Sequence, residues 1–200
     1  MNFWDQQFSA PGFKYGTQPN AFVARESQRL APGSTVLVPG DGEGRNGVWL
    51  ARQGHRVTAV DASAVGLAKA QQLATQHGVA LTTELADLEH WAPAPGAWDA
   101  MVLNFVHLPR PWRRAAHQRL ARGLRPGGLL LLEAFQPAQL GRSSGGPKSL
   151  ELLYPLDDIV QDFAGLLTPL LAEATETVLD EGPGHQGAAL APRYIGQRPA

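Results

Sequence analysis

Short apolar runs alternate with amphipathic segments along most of this chain. Runs rich in aliphatic and β-branched residues predict strands, and segments with apolar residues three or four positions apart predict helices. The strands predicted in this way cover residues 35–39, 55–60, 79–85, 98–103, 129–135, 173–179 and 188–197. The predicted helices cover residues 19–30, 44–53, 64–77, 111–124 and 157–167.

The order of these elements predicts how the strands are arranged. Strands that alternate with helices and are apolar throughout are typical of a parallel sheet with helices on both faces. The last two strands follow each other directly across the Gly-rich sequence EGPGHQG, which predicts a hairpin. We therefore expect an α/β fold with a doubly wound, mostly parallel, seven-stranded sheet that ends in an antiparallel hairpin.

Two segments fall outside this alternation. Residues 1–33 form an aromatic arm punctuated by Gly and Pro, followed by a helix. Residues 136–154 carry several Gly and Ser residues and are interpreted as a loop, not as a linker between domains. A single domain over residues 1–200 is therefore expected.

The composition is that of an ordinary globular chain, with 44% hydrophobic and 18% charged residues. A formal net charge of -1 provides no field that attracts nucleic acid or an anionic membrane. No apolar run reaches the roughly 18 residues that a membrane span needs, and the amino terminus MNFWDQQF does not have the pattern of a signal peptide. We expect a cytoplasmic monomer or homodimer with a small-molecule partner, and neither a nucleic-acid nor a membrane partner.

Several kinds of chemistry are excluded or disfavoured by the residue types. The chain contains no cysteine, which excludes disulfides, thiolate metal ligands and a cysteine nucleophile. No His, Asp and Glu residues have the spacing of a metal site, so no metal is expected. The arginine-rich segment 110–125 is interpreted as the outer face of a helix, because the chain as a whole is not basic.

The sequence VLVPGDGEGRN, residues 36–46, joins the first predicted strand to the next helix. Gly40, Gly42 and Gly44 allow a tight turn and a close approach of the backbone to a ligand. The helix that follows offers free N–H groups and the positive end of its dipole. Asp61 ends the second predicted strand, where its carboxylate can accept two hydrogen bonds from ribose hydroxyls. Together these features predict a nucleotide or nucleoside site.

A second interpretation of the same turn remains open. Residues 42–47 also satisfy GxGxxG, the fingerprint of nicotinamide and flavin sites. Two features disfavour it: the chain has the length of one sheet domain with nothing left for a separate substrate domain, and its final hairpin departs from an ordinary dinucleotide fold. An NAD(P)-dependent oxidoreductase is therefore kept as an alternative.

The segment VLVPGDGEGRNGVWLARQGHRVTAVDASAVGLAKAQQLATQHGV resembles the class I methyltransferases that use S-adenosyl-L-methionine (SAM). It is most similar to a small bacterial branch related to the tellurite-resistance and thiopurine methyltransferases. The sequences FWDQQFSAPGFKYGTQPNAFV, DEGPGHQG and RYIG resemble that branch too, so the similarity covers nearly the whole chain. It implies a Rossmann-like methyltransferase fold, SAM as cofactor with S-adenosyl-L-homocysteine (SAH) as product, and a small acceptor such as a thiol, a metalloid oxyanion or another xenobiotic.

The resemblance implies roles for the Gly-rich turn and the strand after it. Gly40, Asp41, Gly42 and Gly44 would line the methionine and ribose of the donor, while Asp61 would hold the ribose hydroxyls. These assignments agree with what the residue types predict independently for the turn and for Asp61.

The resemblance also implies residues on the adenine and methyl sides of the donor. Ala62 and Leu88 would lie beside the adenine, and Asp87 would accept a hydrogen bond from its amino group. Asn104 and Phe105, at the end of the fourth strand, would face the methyl group.

One residue departs from the family pattern. Many class I enzymes carry an acid two residues before the first Gly, where this chain has Val38. The ammonium group of the donor must then bind another acceptor, such as a backbone carbonyl, or bind less tightly. This departure supports a further alternative, a SAM-binding module that no longer catalyses methyl transfer.

The aromatic arm and two histidines are the candidates for closing the site and for proton transfer. Tyr15, with Trp4 and Phe13, would form a lid that excludes water, or would simply anchor the amino terminus on the core. His107 follows the fourth strand and His185 lies in the Gly-rich turn near the end, so either is a candidate general base. Soft nucleophiles need no base, and both histidines are also interpretable as ordinary surface residues.

Cations near the expected mouth of the site are candidates for binding an anionic acceptor. Arg142 and Lys148 belong to the loop 136–154, and Arg193 lies in the last predicted strand. Each of them alone is equally interpretable as a solvated surface charge. The loop as a whole is the stronger candidate, because long loops at strand ends commonly shape pockets.

Overall fold

The computed structural model describes residues 2–200. Its α-helices are α1 (Phe3–Phe8), α2 (Ala21–Glu26), α3 (Arg45–Arg52), α4 (Ala64–Gln76), α5 (Arg110–Gly123) and α6 (Leu156–Phe163). Its strands are β1 (Thr35–Pro39), β2 (Arg56–Asp61), β3 (Thr82–Leu85), β4 (Trp98–Asn104), β5 (Leu124–Glu133), β6 (Thr168–Glu181) and β7 (His185–Gln197). Single 3₁₀ turns cover Ser27–Arg29, Pro137–Gln139 and Leu150–Leu152. Among the described residues, no helix has both the length and the apolar character to cross a bilayer.

The strands form one seven-stranded sheet in the order β3-β2-β1-β4-β5-β7-β6. Neighbours from β3 to β5 are parallel, whereas β7 runs antiparallel to both β5 and β6. The predicted doubly wound sheet with an antiparallel hairpin is therefore confirmed. The chain moves outward from β1 to β3 and then returns to the other side of β1 with β4. The carboxyl ends of β1 and β4 thus flank the crevice where ligands bind in such sheets.

Helices cover both faces of the sheet because side chains alternate along its central strands. In β1, Leu37 belongs to the core layer that contains side chains of α5 and α6. Val36 and Val38 belong to the opposite layer, with side chains of α2, α3 and α4. All three side chains are at most 1% exposed. Burial on both faces explains why the central strands are apolar throughout.

The amino-terminal arm contains a helix that the sequence pattern did not predict. The Asn2 side chain accepts the Asp5 N–H, and the Asp5 carboxylate accepts the Asn2 N–H, which together form a capping box for α1. The helix predicted at residues 19–30 is shorter, with α2 followed by a 3₁₀ turn. Likewise, α6 ends at Phe163 instead of reaching residue 167, and Gly165 follows with a φ of 78°.

Strand pairing decides the boundaries near the carboxyl terminus. The helix predicted at residues 111–124 ends at Gly123, because Leu124 already pairs with Trp98. The register then shifts, so that the Pro-Gly-Gly sequence forms a bulge within β5. Strands β6 and β7 exceed their predicted lengths because they pair from one end to the other.

A buried charged cluster joins α5 to α6. Two nitrogens of Arg113 donate to the carboxylate of Asp162 at 2.7 and 3.3 Å, and His117 Nδ1 donates to the same carboxylate at 2.9 Å. Burial acts to raise the pKa of Asp162, but the hydrogen bonds and charges of His117 and Arg113 lower it below its usual value. Asp162 is 2% exposed and is therefore a buried charge that depends on these two partners.

We predict that Asp162→Asn lowers the free energy of unfolding by up to about 3–5 kcal/mol, because it removes the buried counter-ion of Arg113 and leaves only the partly exposed Asp158, 3.2 Å away, to pair with it. Urea denaturation followed by circular dichroism measures the change. Asp157→Asn is the matched control, since Asp157 lies on the same helix and is exposed. Equal stability of the two variants would show that the cluster does not stabilise the contact between the helices.

Candidate active site

The Gly-rich turn between β1 and α3 has the backbone geometry that its sequence predicts. Gly40, Gly42 and Gly44 have φ angles of 70°, 59° and 89°, in the left-handed region that other residues rarely adopt. Gly44 is the N-cap residue of α3. A Cβ on Gly44 would lie 2.6 Å from the Cβ of Ala70 in α4. Glycine is thus required here for α3 and α4 to pack against each other.

Asp61 ends β2 and is held against this turn. One of its carboxylate oxygens accepts the Gly42 N–H at 2.9 Å, and the other accepts the Ser63 N–H at 2.8 Å. Burial raises the pKa of Asp61, and these backbone donors partly offset the effect. Each carboxylate oxygen has two lone pairs, so Asp61 keeps acceptor capacity next to the crevice. The predicted carboxylate therefore lies beside the Gly-rich turn.

Asp41 has a different environment from the one that the resemblance implies. Both of its carboxylate oxygens lie 3.2 Å from the Gly47 nitrogen and accept its N–H. Burial raises the pKa of Asp41 to about 7. In this structure the side chain supports the first turn of α3, and its contact with the donor stays a prediction.

A buried polar network links α3, the end of β4 and the end of β6. Arg45 Nη2 lies 2.8 Å from Glu181 Oε2 and donates to Asn104 Oδ1 at 3.0 Å. Asn20 Nδ2 donates to the other Glu181 oxygen at 2.7 Å. Arg45 Nη1 is buried and has no acceptor among the residues that the structure describes. A buried N–H donor without a partner is costly, and it lies next to Asn104, which the resemblance assigns to the donor site.

Arg193 lies inside this network and not at the mouth of the site. Its Nε donates to Glu133 Oε1 at 2.7 Å, and its side chain is 10% exposed. Its guanidinium also lies 5.2 Å from the centre of the Phe22 ring. Burial raises the pKa of Glu133, and the charge of Arg193 acts against that rise. The guanidinium is thus already engaged, and the acceptor contact expected for Arg193 is not supported by its position.

His185 begins β7 and is oriented by Glu181 at the end of β6. Its Nδ1 lies 3.2 Å from Glu181 Oε2, and a charged carboxylate can only accept, so Nδ1 carries the proton. Burial lowers the pKa of His185, while the hydrogen bond to Glu181 acts to raise it. The Nε2 atom has no hydrogen-bond partner within residues 2–200. A neutral imidazole with a free Nε2 lone pair is the form that a general base needs.

Both ring nitrogens of His107 are already engaged by backbone groups. Nδ1 donates to the Leu152 carbonyl, and Nε2 accepts the Phe135 N–H at 3.4 Å. Burial lowers the pKa of His107 to about 4. This geometry favours His185 over His107 as the base, because His107 would have to release a backbone N–H first.

Aromatic rings surround His185. The Tyr15 ring centroid lies 4.4 Å from that of His185, and the Phe105 centroid lies 4.7 Å from it. Phe105 stacks on Phe135 at 4.4 Å. Within residues 2–200, Phe105 is the single non-glycine residue with a positive φ, 53°. Such strain is typical of functional sites, and it lies directly after Asn104.

The amino-terminal arm crosses the crevice and is fastened on both sides of it. Asp5 accepts the Ser63 hydroxyl at 2.8 Å and the Val65 N–H at 3.2 Å, at the start of α4. On the other side, the Gly184 N–H in the β6–β7 turn donates to the Lys14 carbonyl at 2.9 Å. The arm thus bridges the two walls of the site.

Phe8 is the ring of the arm that covers the Gly-rich turn. A Cβ on Gly42 would lie 3.0 Å from the Phe8 ring, and Phe8 is 4% exposed. The rings expected to close over the donor from the sequence are Tyr15, Trp4 and Phe13, not Phe8. Trp4 instead stacks on Phe8 at 5.6 Å and is 40% exposed. The turn is therefore covered by the arm in this structure.

Lys69 in α4 ties down the arm through three contacts. Its Nζ donates to the carbonyls of Ala10 and Gly12 at 2.8 and 2.7 Å. It also lies 2.8 Å from Glu43 Oε1, and Glu43 Oε2 accepts the Lys14 N–H at 2.7 Å. A charged residue of the Gly-rich turn is thereby coupled to the position of the arm.

The residues expected on the adenine side lie near the ends of β2 and β3. Ala62 follows Asp61, and its carbonyl accepts a hydrogen bond from Asn2. Asp87 is exposed and accepts the Glu89 N–H at 2.9 Å, whereas Leu88 is 8% exposed. An exposed carboxylate above a buried Leu is compatible with the implied adenine contacts, which stay predictions.

The two cations of the 136–154 loop lie at the surface. Arg142 Nη1 lies 3.3 Å from Glu176 Oε1, and this pair is solvent-accessible. Lys148 is exposed. These positions leave the expected contact with an acceptor untested for both residues.

Sequence reasoning missed Phe8, Arg45, Glu181 and the Lys69–Glu43 pair. Arg45 was part of the quoted motif but had no predicted partner, because Glu181 is far away in the sequence. One signal was available for Glu181. It precedes the tight Gly182–Gly184 turn and His185 follows it, and a hairpin brings the residues on either side of its turn together. Phe8 and Lys69 gave no comparable signal.

A doubly wound sheet with a Gly-rich turn and a buried carboxylate at the next strand defines an α/β protein that binds a nucleotide or nucleoside. Comparison with known proteins narrows this class. The family model described as "Methyltransferase domain" matches residues 36–128, which contain the turn, Asp61 and β4.

Two curated proteins are similar over most of the chain. The cypemycin N-terminal methyltransferase of a Streptomyces species is 31% identical over 135 residues, 65% of this chain and 53% of that protein. The 2-heptyl-1-hydroxyquinolin-4(1H)-one methyltransferase of Mycobacteroides abscessus is 23% identical over 146 residues, 72% of this chain and 64% of that protein. The chain therefore spans between about half and two thirds of the length that these curated relatives have.

The structure of TehB from Haemophilus influenzae has a similar fold. It superposes with a TM-score of 0.71 at 15% identity, over 98% of this chain and 66% of TehB. In its fold and in the segment around the Gly-rich turn, the chain is therefore similar to methyltransferases. The expected resemblance and the expected fold are confirmed, and nothing in the comparisons supports an NAD(P)-dependent oxidoreductase.

We predict that Lys69→Met loosens the arm, since it removes three contacts and leaves the buried Glu43 carboxylate without its cation. A loss of about 1–3 kcal/mol would speed hydrogen exchange of the amides in residues 2–15 by roughly 5- to 150-fold. Mass spectrometry of the exchanged peptides measures this rate. Lys148→Met, which changes an exposed lysine, should leave these amides unaffected, and equal rates for both variants would contradict the assigned tether.

Proposed function

We propose that this chain transfers the methyl group of SAM to a small-molecule acceptor, with the donor in the crevice between the Gly-rich turn, Asp61 and Asn104. The observation that carries the proposal is the buried Asp61 carboxylate held on the Gly42 N–H where the strand order reverses. The similarity to methyltransferases supports SAM as the ligand of that crevice. Cytoplasmic location and a monomeric or homodimeric state stay expectations of the sequence.

The side chains around the crevice fit this ligand. Arg45 Nη1 is a buried donor that lacks an acceptor among the described residues. A carboxylate, such as the one on the methionine end of SAM, would satisfy it. Asp61 offers the complementary acceptors for ribose hydroxyls. Val38, which stands where the usual acid would be, is an uncharged side chain packed in the core at 1% exposure.

SAM, when bound, supplies a methyl group on a positively charged sulfur. The residues of the chain orient the donor. Asp61 and Arg45 hold its two ends, and Asn104 and Phe105 lie between them at the end of β4. Alignment of two reactants is worth about 7–11 kcal/mol relative to a loose encounter. Because Phe8 covers Gly42, the arm has to move for the donor to enter, and its return would exclude water.

His185 is the base in this proposal, with Glu181 as the residue that positions it. Proton removal is needed when the acceptor is a hydroxyl or another weakly acidic group. The curated relatives are named for the N terminus of cypemycin and for a hydroxyquinolinone. These two acceptors differ in kind, so the acceptor of this chain has to be derived from its own residues.

Calorimetry with SAH tests the donor site directly. We expect SAH to bind and NADPH not to bind, and failure of SAH at high micromolar concentration would refute the proposal. Asp61→Ala should weaken SAH binding by roughly 10- to 150-fold, the equivalent of a lost hydrogen bond to a charged group. Asp99→Ala is the matched control, because Asp99 also accepts a backbone N–H, that of Thr35, but at the start of β1. SAH affinity that is equal in the two variants would remove Asp61 from the site.

The pH dependence of the reaction tests His185. Burial places its pKa below the ordinary 6.5, so the active, neutral form persists at neutral pH and is lost only as the pH falls through that lowered value. We predict that kcat/KM for a hydroxyl acceptor is constant above pH 6.5 and declines below it. His185→Gln should remove this decline and lower the rate by about 10²–10⁴-fold. An unchanged profile in His185→Gln would exclude His185 as the base.

A further inference from the structure

Four aromatic side chains meet beside the proposed donor site. The rings of Tyr15, Phe105, Phe135 and His185 come from the arm, the end of β4, the segment after β5 and the start of β7. Their centroids lie 4.4–5.3 Å apart in the contacts Tyr15–His185, Phe105–Phe135, Phe105–His185 and Phe135–His185. We call these four side chains the aromatic cluster.

We propose that the aromatic cluster is the acceptor site and that it takes a planar aromatic or heteroaromatic ring with an ionisable hydroxyl, directed at His185 Nε2. This inference rests on the proposed function, since it names the substrate class of the same site. Aromatic rings pack on one another in offset-stacked or edge-to-face geometry. The cluster offers both, because Phe105 and Phe135 are stacked, whereas His185 meets each of them edge-on.

The position of Phe105 ties the cluster to the donor site. Phe105 directly follows Asn104. Its backbone lies in the left-handed region, and its N–H donates to the Glu133 carbonyl at 2.8 Å. A phenylalanine is an unfavourable residue at a positive φ. The strained conformation brings the Phe105 ring against Phe135 and His185, next to the crevice between β1 and β4.

One member of the cluster lies on a segment that can separate from the other three. Tyr15 belongs to the arm, whereas His185 begins β7 and is held by Glu181. Phe105 and Phe135 directly follow β4 and β5 of the central sheet. Movement of the arm would therefore uncover the His185 ring that Tyr15 contacts.

Charge selects the functional group of the acceptor. The Glu181 and Arg193 side chains near the cluster are already paired, and the free donor of Arg45 is assigned to the carboxylate of SAM. Apart from the Tyr15 hydroxyl on the arm, the polar atom at these rings that has no partner among the described residues is His185 Nε2, a neutral acceptor with a lowered pKa. So weak a base suits an aromatic hydroxyl, whose pKa is about 10 as in tyrosine, and not the far less acidic hydroxyl of an aliphatic alcohol.

The proposed step balances as a single displacement. The acceptor oxygen forms the new O–CH₃ bond while the C–S bond of the donor breaks and its electron pair stays on sulfur, which gives neutral SAH. The hydroxyl proton passes to His185 Nε2 and leaves to solvent after the reaction. Glu181 stays charged and holds the imidazole through Nδ1.

Calorimetry on the SAH-saturated chain tests the inference with pairs of probes that differ only in ring saturation. The pairs are phenol with cyclohexanol, 1-naphthol with decahydro-1-naphthol, and 4-hydroxyquinoline with decahydroquinolin-4-ol. At least one aromatic member should bind tenfold or more tightly than its saturated partner. If SAH binds but no aromatic probe is preferred, the inference is overturned and the proposed donor site stands. If SAH itself does not bind, the proposed function fails first.

A matched pair of substitutions locates the binding site. Phe135→Leu should lower the affinity for the preferred aromatic probe tenfold or more and leave the affinity for SAH unchanged. Phe163→Leu is its control, because Phe163 is also a buried ring in contact with a histidine, His117, but lies in α6. Equal probe affinity in both variants would overturn the inference.

A second pair covers the case in which Phe135→Leu does not fold. Tyr15→Leu should weaken binding of the aromatic probe to the SAH-saturated chain, whereas Phe13→Leu on the same arm should leave that binding unchanged. Loss of probe binding in neither variant, or in both to the same extent, would exclude the aromatic cluster as the acceptor site.

Discussion

The buried ion pair between Arg45 and Glu181 is the interaction on which the site depends. It joins the helix after the Gly-rich turn to the end of β6, and so connects elements from the two ends of the chain. Removing two charges from water is costly, and the cost is offset only when hydrogen bonds satisfy the remaining donors and acceptors. Asn104, Asn20 and His185 provide these bonds. The ion pair therefore fixes the helix, the end of β4 and the histidine relative to one another.

This network also explains why His185 and His107 differ although both lie near the carboxyl ends of strands. The Glu181 carboxylate orients His185 and leaves Nε2 free, whereas backbone groups engage both nitrogens of His107. Burial lowers the pKa of each ring. A base requires a free lone pair as well as a suitable pKa. Of these two histidines, His185 is the one that combines them in this structure.

The arm gives the site a second, weaker set of constraints. Apart from the buried Phe8 ring, its contacts with α4 and with the β6–β7 turn are hydrogen bonds, of which the two that Lys69 donates are the most concentrated. Such contacts are individually modest in free energy, so the arm can open while the central sheet stays intact. Phe8 on Gly42 and Tyr15 on His185 would then move together, which couples access to the donor crevice with access to the aromatic cluster.

Local sequence was sufficient for the order of strands and helices, the antiparallel hairpin, the left-handed Gly-rich turn and the position of Asp61. These features depend on periodicity, on backbone freedom of glycine and on the residue at the end of a strand, all of which are properties of neighbouring residues. Only the tertiary structure decided that Phe8 covers the turn, that Arg45 pairs with Glu181 and that Arg193 is buried against Glu133. These contacts join residues far apart in the chain, and burial, which selects their partners and shifts their pKa values, exists only after the sheet and its helices have packed.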